Sequence, residues 1–158
     1  MNAKNKNTIM RILDIFFKQI TQLGGLVFFG IIIAFSYLAG SSQLSFTLLI
    51  SIITMTLAGA FIKLMFFKER PKKIGYKNII EKIDAGSFPS LHTMRIFSLA
   101  VILGTRYGSG NLLLIVFLAL IAAIVSYSRI YLKKHYLKDV FWGALFSLII
   151  NISLIYFI

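Results

Sequence analysis

The stretch SRIYLKKHYLKD, residues 128–139, lies between two long apolar runs near the C-terminal end of the chain. It contains His135, which is one of only two histidines, and four of the seventeen lysines and arginines. A polar group inside a membrane costs free energy unless it is paired, so polar residues in such a position are typical of a functional site. We therefore expect this stretch, and His135 in particular, to carry the chemistry of the molecule.

The composition indicates an integral membrane protein. Of 158 residues, 58% are hydrophobic and only 14% are charged, whereas about a quarter of a soluble domain is charged. The formal net charge of +12 favours an anionic partner, and in so apolar a chain we expect membrane lipids and lipid phosphates, not nucleic acid. The absence of cysteine excludes a thiolate nucleophile. No removable signal peptide is evident, so the first membrane segment is expected to target the protein.

The hydrophobic pattern predicts an all-α fold, a polytopic membrane helix bundle. Residues 8–23 mix polar and apolar positions at helical spacing, which predicts an amphipathic helix at the interface. Pro71 ends the helix before a long polar loop, and Ser90 is a natural N-cap for the helix after it. Apolar segments are predicted at residues 26–39, 44–67, 91–103, 111–130 and 140–158. The prediction is a single domain, 1–158, with a bundle over 24–158 of five transmembrane helices, or six spans if 8–23 crosses.

Two polar loops, at residues 68–89 and 131–139, are separated by two predicted spans. They therefore face the same side of the membrane, while the opposite side shows only short turns. The even number of spans between the loops brings both histidines and most of the lysines and arginines to one side of the membrane, where we predict the active-site loops.

His135 and Asp139 are four residues apart, which on a helix places them one turn apart on the same face. A carboxylate in that position can hold one imidazole nitrogen as a donor and leave the other free as a nucleophile or base. The alternative is a pair at the helix surface in which the two side chains bond to each other and have no catalytic role.

His92 follows Ser90 at a predicted helix start. The unpaired N–H groups and the dipole at such a start favour an anion, although a plain capped helix can also include a histidine. Arg95 lies one turn further in, and its simplest interpretation is an ion pair with Glu81 or Asp84.

Three more bases lie at predicted helix ends. Lys63 and Arg70 are seven residues apart, about two helical turns, and can share a face. Arg129 ends an apolar span. Singly, each is typical of a snorkelling or helix-end charge. Together with two histidines and a helix N-terminus, they provide what phosphoryl transfer needs: anion clamps, a nucleophile and an acid.

At these positions the sequence resembles the three-part signature of the type 2 phosphatidic acid phosphatase superfamily. The matching motifs are Lys63-(six residues)-Arg70-Pro71, Pro89-Ser90-Leu91-His92 and Ser128-Arg129-(five residues)-His135-(three residues)-Asp139. The second motif departs from the family at Leu91, where glycine is usual. If Leu91 is the first helical residue, its backbone needs no positive φ and a side chain is permitted. The departure bears on how closely the phosphate approaches and how large a headgroup fits.

The resemblance implies hydrolysis of a phosphate ester through a phosphohistidine, with no metal and no other cofactor. His135 would attack phosphorus, Asp139 would orient it, and His92 would protonate the leaving oxygen. The phosphate oxygens would be held by Lys63, Arg70, Arg129 and the helix start at Ser90, Leu91 and His92.

The substrate implied by the resemblance is phosphatidylglycerophosphate, phosphatidate, undecaprenyl diphosphate or lipid A 1-phosphate. The alternatives are a lipid phosphotransferase on the same site and a non-enzymatic carrier of anionic lipids. A metal enzyme using both histidines is disfavoured, because the surrounding bases would repel a divalent cation. The resemblance places the active site on the extracytoplasmic side of a bacterial inner membrane, whereas the positive-inside rule favours the opposite side. No oligomeric state is predicted.

Overall fold

The computed structural model describes residues 3–157, with side chains for residues 8–157, and this part of the chain confirms the predicted all-α fold. An isolated antiparallel bridge between Glu69 and Gly86 closes the polar loop that contains the helix Ile79–Ala85. The elements are α1 (Ala3–Ile20), a 3₁₀ helix (Thr21–Gly24), α2 (Leu26–Leu38), α3 (Ser42–Met65), α4 (Ile79–Ala85), α5 (Leu91–Tyr107), α6 (Leu112–Tyr131) and α7 (Leu137–Phe157).

The central helix is α5, which packs against α3, α6, α7 and the 3₁₀ helix. Its residues Ile96 and Leu99 are buried in one cluster with Leu48 of α3 and Val125 of α6. Inside a bilayer, close packing of this kind holds helices together, because lipid tails remove the usual hydrophobic driving force. The cluster therefore fixes the helix whose first turn carries His92.

A buried polar network joins three helices in the middle of the bundle. Asn151 of α7 accepts hydrogen bonds on Oδ1 from Ser51 of α3 at 2.7 Å and from Ser98 of α5 at 2.9 Å. Its amide nitrogen donates to the carbonyl oxygen of Ser147 at 2.8 Å. Interhelical bonds between such side chains contribute roughly 0.6–2 kcal/mol each within a membrane. The network sets the register of α3, α5 and α7.

Three helices among the described residues are long and apolar enough to cross a membrane: α3, α6 and α7. The segments Thr8–Gly24 and Leu26–Leu38 qualify together as a fourth, although a 51° bend separates them. With 13 and 17 residues, α2 and α5 are each shorter than the ~20 residues of a typical span. The predicted count of five or six spans is therefore not confirmed by length and composition.

The N-terminal amphipathic helix is longer than predicted, because α1 already begins at Ala3. It packs against α6 through Phe17, whose ring contacts Tyr127 and Tyr131. The Tyr131 hydroxyl also donates to Asp14 at 2.8 Å. These contacts place the 3₁₀ helix that follows α1 beside the end of α6, where Arg129 lies.

Candidate active site

A cavity of about 710 Å³ lies where the 3₁₀ helix, the end of α3, the start of α5 and the end of α6 converge. The two polar loops thus meet on one side of the bundle. Of the predicted site residues, six line this cavity: Lys63, Arg70, Leu91, His92, Arg129 and His135. Ser90 and Asp139 are not among its lining residues, and both are fully buried.

His135 is only 2% exposed and lies in the turn between α6 and α7. Its Nδ1 is 2.6 Å from the carbonyl oxygen of Ser87. A carbonyl oxygen only accepts, so Nδ1 carries the proton in the neutral ring and Nε2 keeps its lone pair. Burial, followed by the nearby charges of Arg129 and Lys63, holds the pKa of His135 well below its usual value. The imidazole is therefore neutral at pH 7 and has the tautomer that a nucleophile needs.

The predicted contact between Asp139 and His135 is not formed. The buried carboxylate accepts from Lys68 Nζ at 2.6 Å, from Ser87 Oγ at 2.9 Å and from the Tyr136 backbone N–H at 2.8 Å. The physical reason is the helix boundary: α7 begins at Leu137, so His135 does not occupy the turn below Asp139. Among the described side chains, Ser87 is the one that links the Asp139 carboxylate to the imidazole of His135.

Ser87 is a residue that the sequence reasoning missed. It is fully buried, and its N–H donates to the Lys68 carbonyl oxygen at 2.7 Å. Its hydroxyl bonds to Asp139, while its own carbonyl oxygen accepts from His135. A single residue thus links the polar loop, α7 and the imidazole. A serine three residues before an N-cap gives no signal of such a role in the sequence.

The predicted cations are fixed by oxygen acceptors of other segments. Lys63 is 2% exposed, and its Nζ donates to the carbonyl oxygens of Ile83 at 3.0 Å and Gly86 at 2.9 Å. The Arg70 guanidinium donates to the Asp84 carbonyl oxygen and lies 3.6 Å from the Asp84 carboxylate. These contacts tie the end of α3 and the polar loop to the C-terminal end of α4, which also favours positive charge.

Arg129 is fixed by a residue outside the three motifs. Its guanidinium donates to the Thr21 hydroxyl at 2.9 Å, and both side chains are buried. The Nε of Arg129 has no partner among the described residues. The 3₁₀ helix therefore positions this cation at the cavity, a contact across more than a hundred residues that local sequence does not indicate.

The start of α5 divides its roles between three consecutive residues. Ser90 is the N-cap, and its Oγ accepts from the Thr93 backbone N–H at 3.5 Å and from the Thr93 hydroxyl at 3.0 Å. The Ser90 N–H donates to the Asp139 carbonyl oxygen at 3.1 Å, so this N–H is not available to a ligand at the cavity. Leu91 and His92 do line the cavity.

Two glycines make room for this turn. A Cβ on Gly59 of α3 would lie 2.2 Å from Cδ2 of Leu91, so the leucine side chain occupies a notch that glycine provides. A Cβ on Gly24 would lie 2.9 Å from the His92 carbonyl oxygen. The leucine at position 91, where the family usually has glycine, is thus accommodated by Gly59 of the neighbouring helix α3.

Arg95 also lines the cavity, which corrects the predicted pair with Glu81 or Asp84. Glu81 instead accepts from the Lys77 backbone N–H at 2.6 Å, and Asp84 pairs with Arg70. The alternative metal set is not formed either, since no three His, Cys, Asp or Glu side chains are grouped within the described ranges.

A neutral, buried imidazole and a ring of buried cations at one end of a membrane helix bundle define an integral membrane protein with an anion-binding site. The model of the PAP2 superfamily matches residues 41–158, and the chain belongs to that superfamily. The match confirms the resemblance of the three motifs, and it supports a membrane lipid phosphatase, a hydrolase of phosphoric esters.

Two solved structures are similar to this fold. The crystal structure of LpxE from Aquifex aeolicus has a TM-score of 0.76 and 26% identity, over 91% of this chain and 86% of that one. A transmembrane PAP2 type phosphatidylglycerolphosphate phosphatase from Bacillus subtilis has a TM-score of 0.73 and 23% identity, over 92% of this chain and 76% of that one. A comparison with curated protein sequences finds no match.

Proposed function

We propose that the protein hydrolyses a phosphate monoester or diphosphate of a membrane lipid, without a metal, through a phosphohistidine on His135. The observation that carries the proposal is the bond from His135 Nδ1 to the Ser87 carbonyl oxygen at 2.6 Å, which leaves Nε2 with its lone pair beside a cationic cavity. Such an imidazole can attack phosphorus without first losing a proton.

The groups around the cavity suit both steps of this reaction. Arg70, Arg129 and Lys63 stabilise the charge that develops on the phosphoryl oxygens. His92 gives a proton to the leaving oxygen and then accepts one from the water that attacks the phosphohistidine. Ser87 holds the ring of His135 in place during both steps.

The apolar part of the cavity supports a lipid substrate. One wall consists of residues of α2, including Val27, whose side chain is 79% exposed on the outer surface of the bundle. A neighbouring apolar groove of about 280 Å³ between α2 and α3 shares Leu26 with the cavity. A phosphate at headgroup depth therefore has an apolar route for its tail. For such a ligand we propose that α2 and α5 also cross the membrane, giving the five-helix arrangement.

Phosphate release from a panel of lipid phosphates by the purified protein, in excess EDTA, tests the proposal. We expect turnover that vanadate inhibits and that falls by about 10⁴-fold in His135→Gln. Lys138→Gln is the matched control, because this exposed lysine on α7 does not line the cavity. Full activity in His135→Gln would refute the mechanism. Binding of these lipids by the wild type without any turnover would indicate the carrier.

His92 can be tested separately with two leaving groups. We expect His92→Ala to lose about 10²–10⁴-fold on an alkyl phosphate and far less on p-nitrophenyl phosphate, whose leaving group needs no proton. Equal losses on both substrates would contradict the role of His92 as the acid.

We also propose that the site faces the extracytoplasmic side of a bacterial inner membrane. The chain has no native cysteine, so single cysteines at Ser109 and at Lys77, both exposed and at opposite ends of the bundle, can be labelled in whole cells with an impermeant reagent. Labelling at 77 and not at 109 is expected, and the reverse result would overturn this orientation.

A further inference from the structure

The reaction described above leaves two cavity cations without a role, Arg95 and Lys134, and of these only Arg95 is buried. Its side chain is 5% exposed, and no nitrogen of its guanidinium has a hydrogen-bond partner among the described residues. Lys63, Arg70 and Arg129 each bond to protein oxygens. A buried guanidinium with no anion is costly, so the surroundings of Arg95 are incomplete without a ligand that supplies one.

The charge of the cavity also favours an anionic ligand. Five cationic side chains and one carboxylate, that of Asp84, line it. A single phosphate group carries about −1.5 to −2 charges near neutral pH. A ligand with a second phosphate matches this surplus better than a monoester does.

The position of Arg95 indicates which phosphate it would meet. It follows His92 by three residues on α5, about 4.5 Å further along the axis and on the same face. Since α5 runs from the cavity into the bundle, Arg95 lies deeper than the acid that protonates the leaving oxygen. A lipid whose tail lies in the bilayer has its leaving group on that deeper side.

We propose that Arg95 binds the inner phosphate of a lipid diphosphate and so makes the site selective for diphosphates over monophosphates. This inference rests on the proposed function. His135 Nε2 forms a bond to the outer phosphorus, and the bond from that phosphorus to the bridging oxygen breaks. The bridging oxygen takes the proton of His92, and a lipid monophosphate leaves with Arg95 paired to its charge. Water then cleaves the phosphohistidine and releases inorganic phosphate.

The test compares farnesyl diphosphate with farnesyl monophosphate, which carry the same tail. Arg95→Gln is expected to lower kcat/KM about 100-fold for the diphosphate and less than about 3-fold for the monophosphate, because a charge-assisted hydrogen bond is lost with one substrate only. Arg95→Lys should recover part of the loss. Arg106→Gln is the matched control: it lies at the other end of α5, where it bonds to Gln43 at 3.1 Å, and should leave both values unchanged.

Equal losses on both substrates, or no loss on either, would overturn the role of Arg95 while leaving the lipid phosphatase intact. A diphosphate-selective loss in Lys134→Gln, with none in Arg95→Gln, would assign the second phosphate to Lys134, which also lines the cavity, and would overturn the role of Arg95 too. If the wild type cleaves neither substrate, the proposed function fails first.

Inorganic pyrophosphate gives a readout that needs no turnover. Wild-type protein should be stabilised against heat more by pyrophosphate than by phosphate at equal concentration. The Arg95→Gln variant should lose that difference and keep the response to phosphate. An unchanged preference in the folded variant would refute the inference.

Discussion

The indirect position of Asp139 leads to an unusual expectation for its amide variant. In Asp139→Asn, the side-chain oxygen can keep both partners of Oδ2, the Ser87 hydroxyl and the Tyr136 N–H. The new amide then faces Lys68, whose side chain is 40% exposed and can turn to water. An ion pair with one exposed partner contributes about 0–1 kcal/mol, and the new buried amide N–H groups lack an acceptor at a cost of about 1–3 kcal/mol, so the stability of Asp139→Asn should fall by about 1–4 kcal/mol. Asp139→Ala removes both bonds to Oδ2, at about 1.5–3 kcal/mol each, and should lose about 3–6 kcal/mol.

Activity should separate direct from indirect action. If the carboxylate acts through Ser87, the bond from His135 to the Ser87 carbonyl oxygen survives in Asp139→Asn, and kcat should fall less than about tenfold. A carboxylate that touches a catalytic imidazole directly typically loses about 10⁴-fold on conversion to the amide. The assay is steady-state phosphate release from a lipid monoester, with KM and thermal unfolding in detergent measured on the same samples and Lys138→Gln as control. A loss in Asp139→Asn as large as that in His135→Gln would refute the relay through Ser87.

Two other perturbations follow from the geometry of the site. Gly59→Ala should displace Leu91 into the cavity, since the new Cβ would lie 2.2 Å from its Cδ2, and kcat/KM for a lipid monoester should fall about tenfold. The double variant Gly59→Ala/Leu91→Ala should regain most of the loss. Strictly additive effects of the two substitutions would contradict the contact. The lowered pKa of His135 means that the unfolded chain binds a proton that the folded chain does not, so stability should fall as the pH drops below about 6.5, by up to about 1.4 kcal/mol per pH unit. The slope of unfolding free energy against pH should be smaller in His135→Gln, and an unchanged slope would argue against the buried neutral ring.

The placement of the two loops was predictable because it depends only on parity. Two spans between residues 68–89 and 131–139 bring His92 and His135 to one side whatever the details of packing, and the cavity contains both. Motif spacing also located the cations. Lys63 and Arg129 lie at helix ends, and the position of a residue along a membrane helix decides its depth in the membrane.

What the sequence did not predict depends on contacts between distant segments. The pair of His135 and Asp139 was wrong because it needed α7 to begin two residues earlier than Leu137. The role of Ser87 depends on how the polar loop folds against α7, and no spacing rule describes that. Arg95 was assigned to an acidic partner because a single sequence does not reveal that α5 turns this residue toward the cavity.

Thr21, Gly24 and the first turn of α2 lie before residue 41, where the family match begins. Yet Thr21 bonds to Arg129, Gly24 lies against the His92 backbone, and Leu26 and Val27 form part of the cavity wall. The reacting groups and the entrance wall are therefore carried by separable parts of the chain. A substitution at position 26 or 27 changes the surface that a lipid tail meets while the histidines keep their partners. Substrate range and chemistry can then evolve independently, and exchange of residues 26–38 between relatives is a direct way to redirect this site.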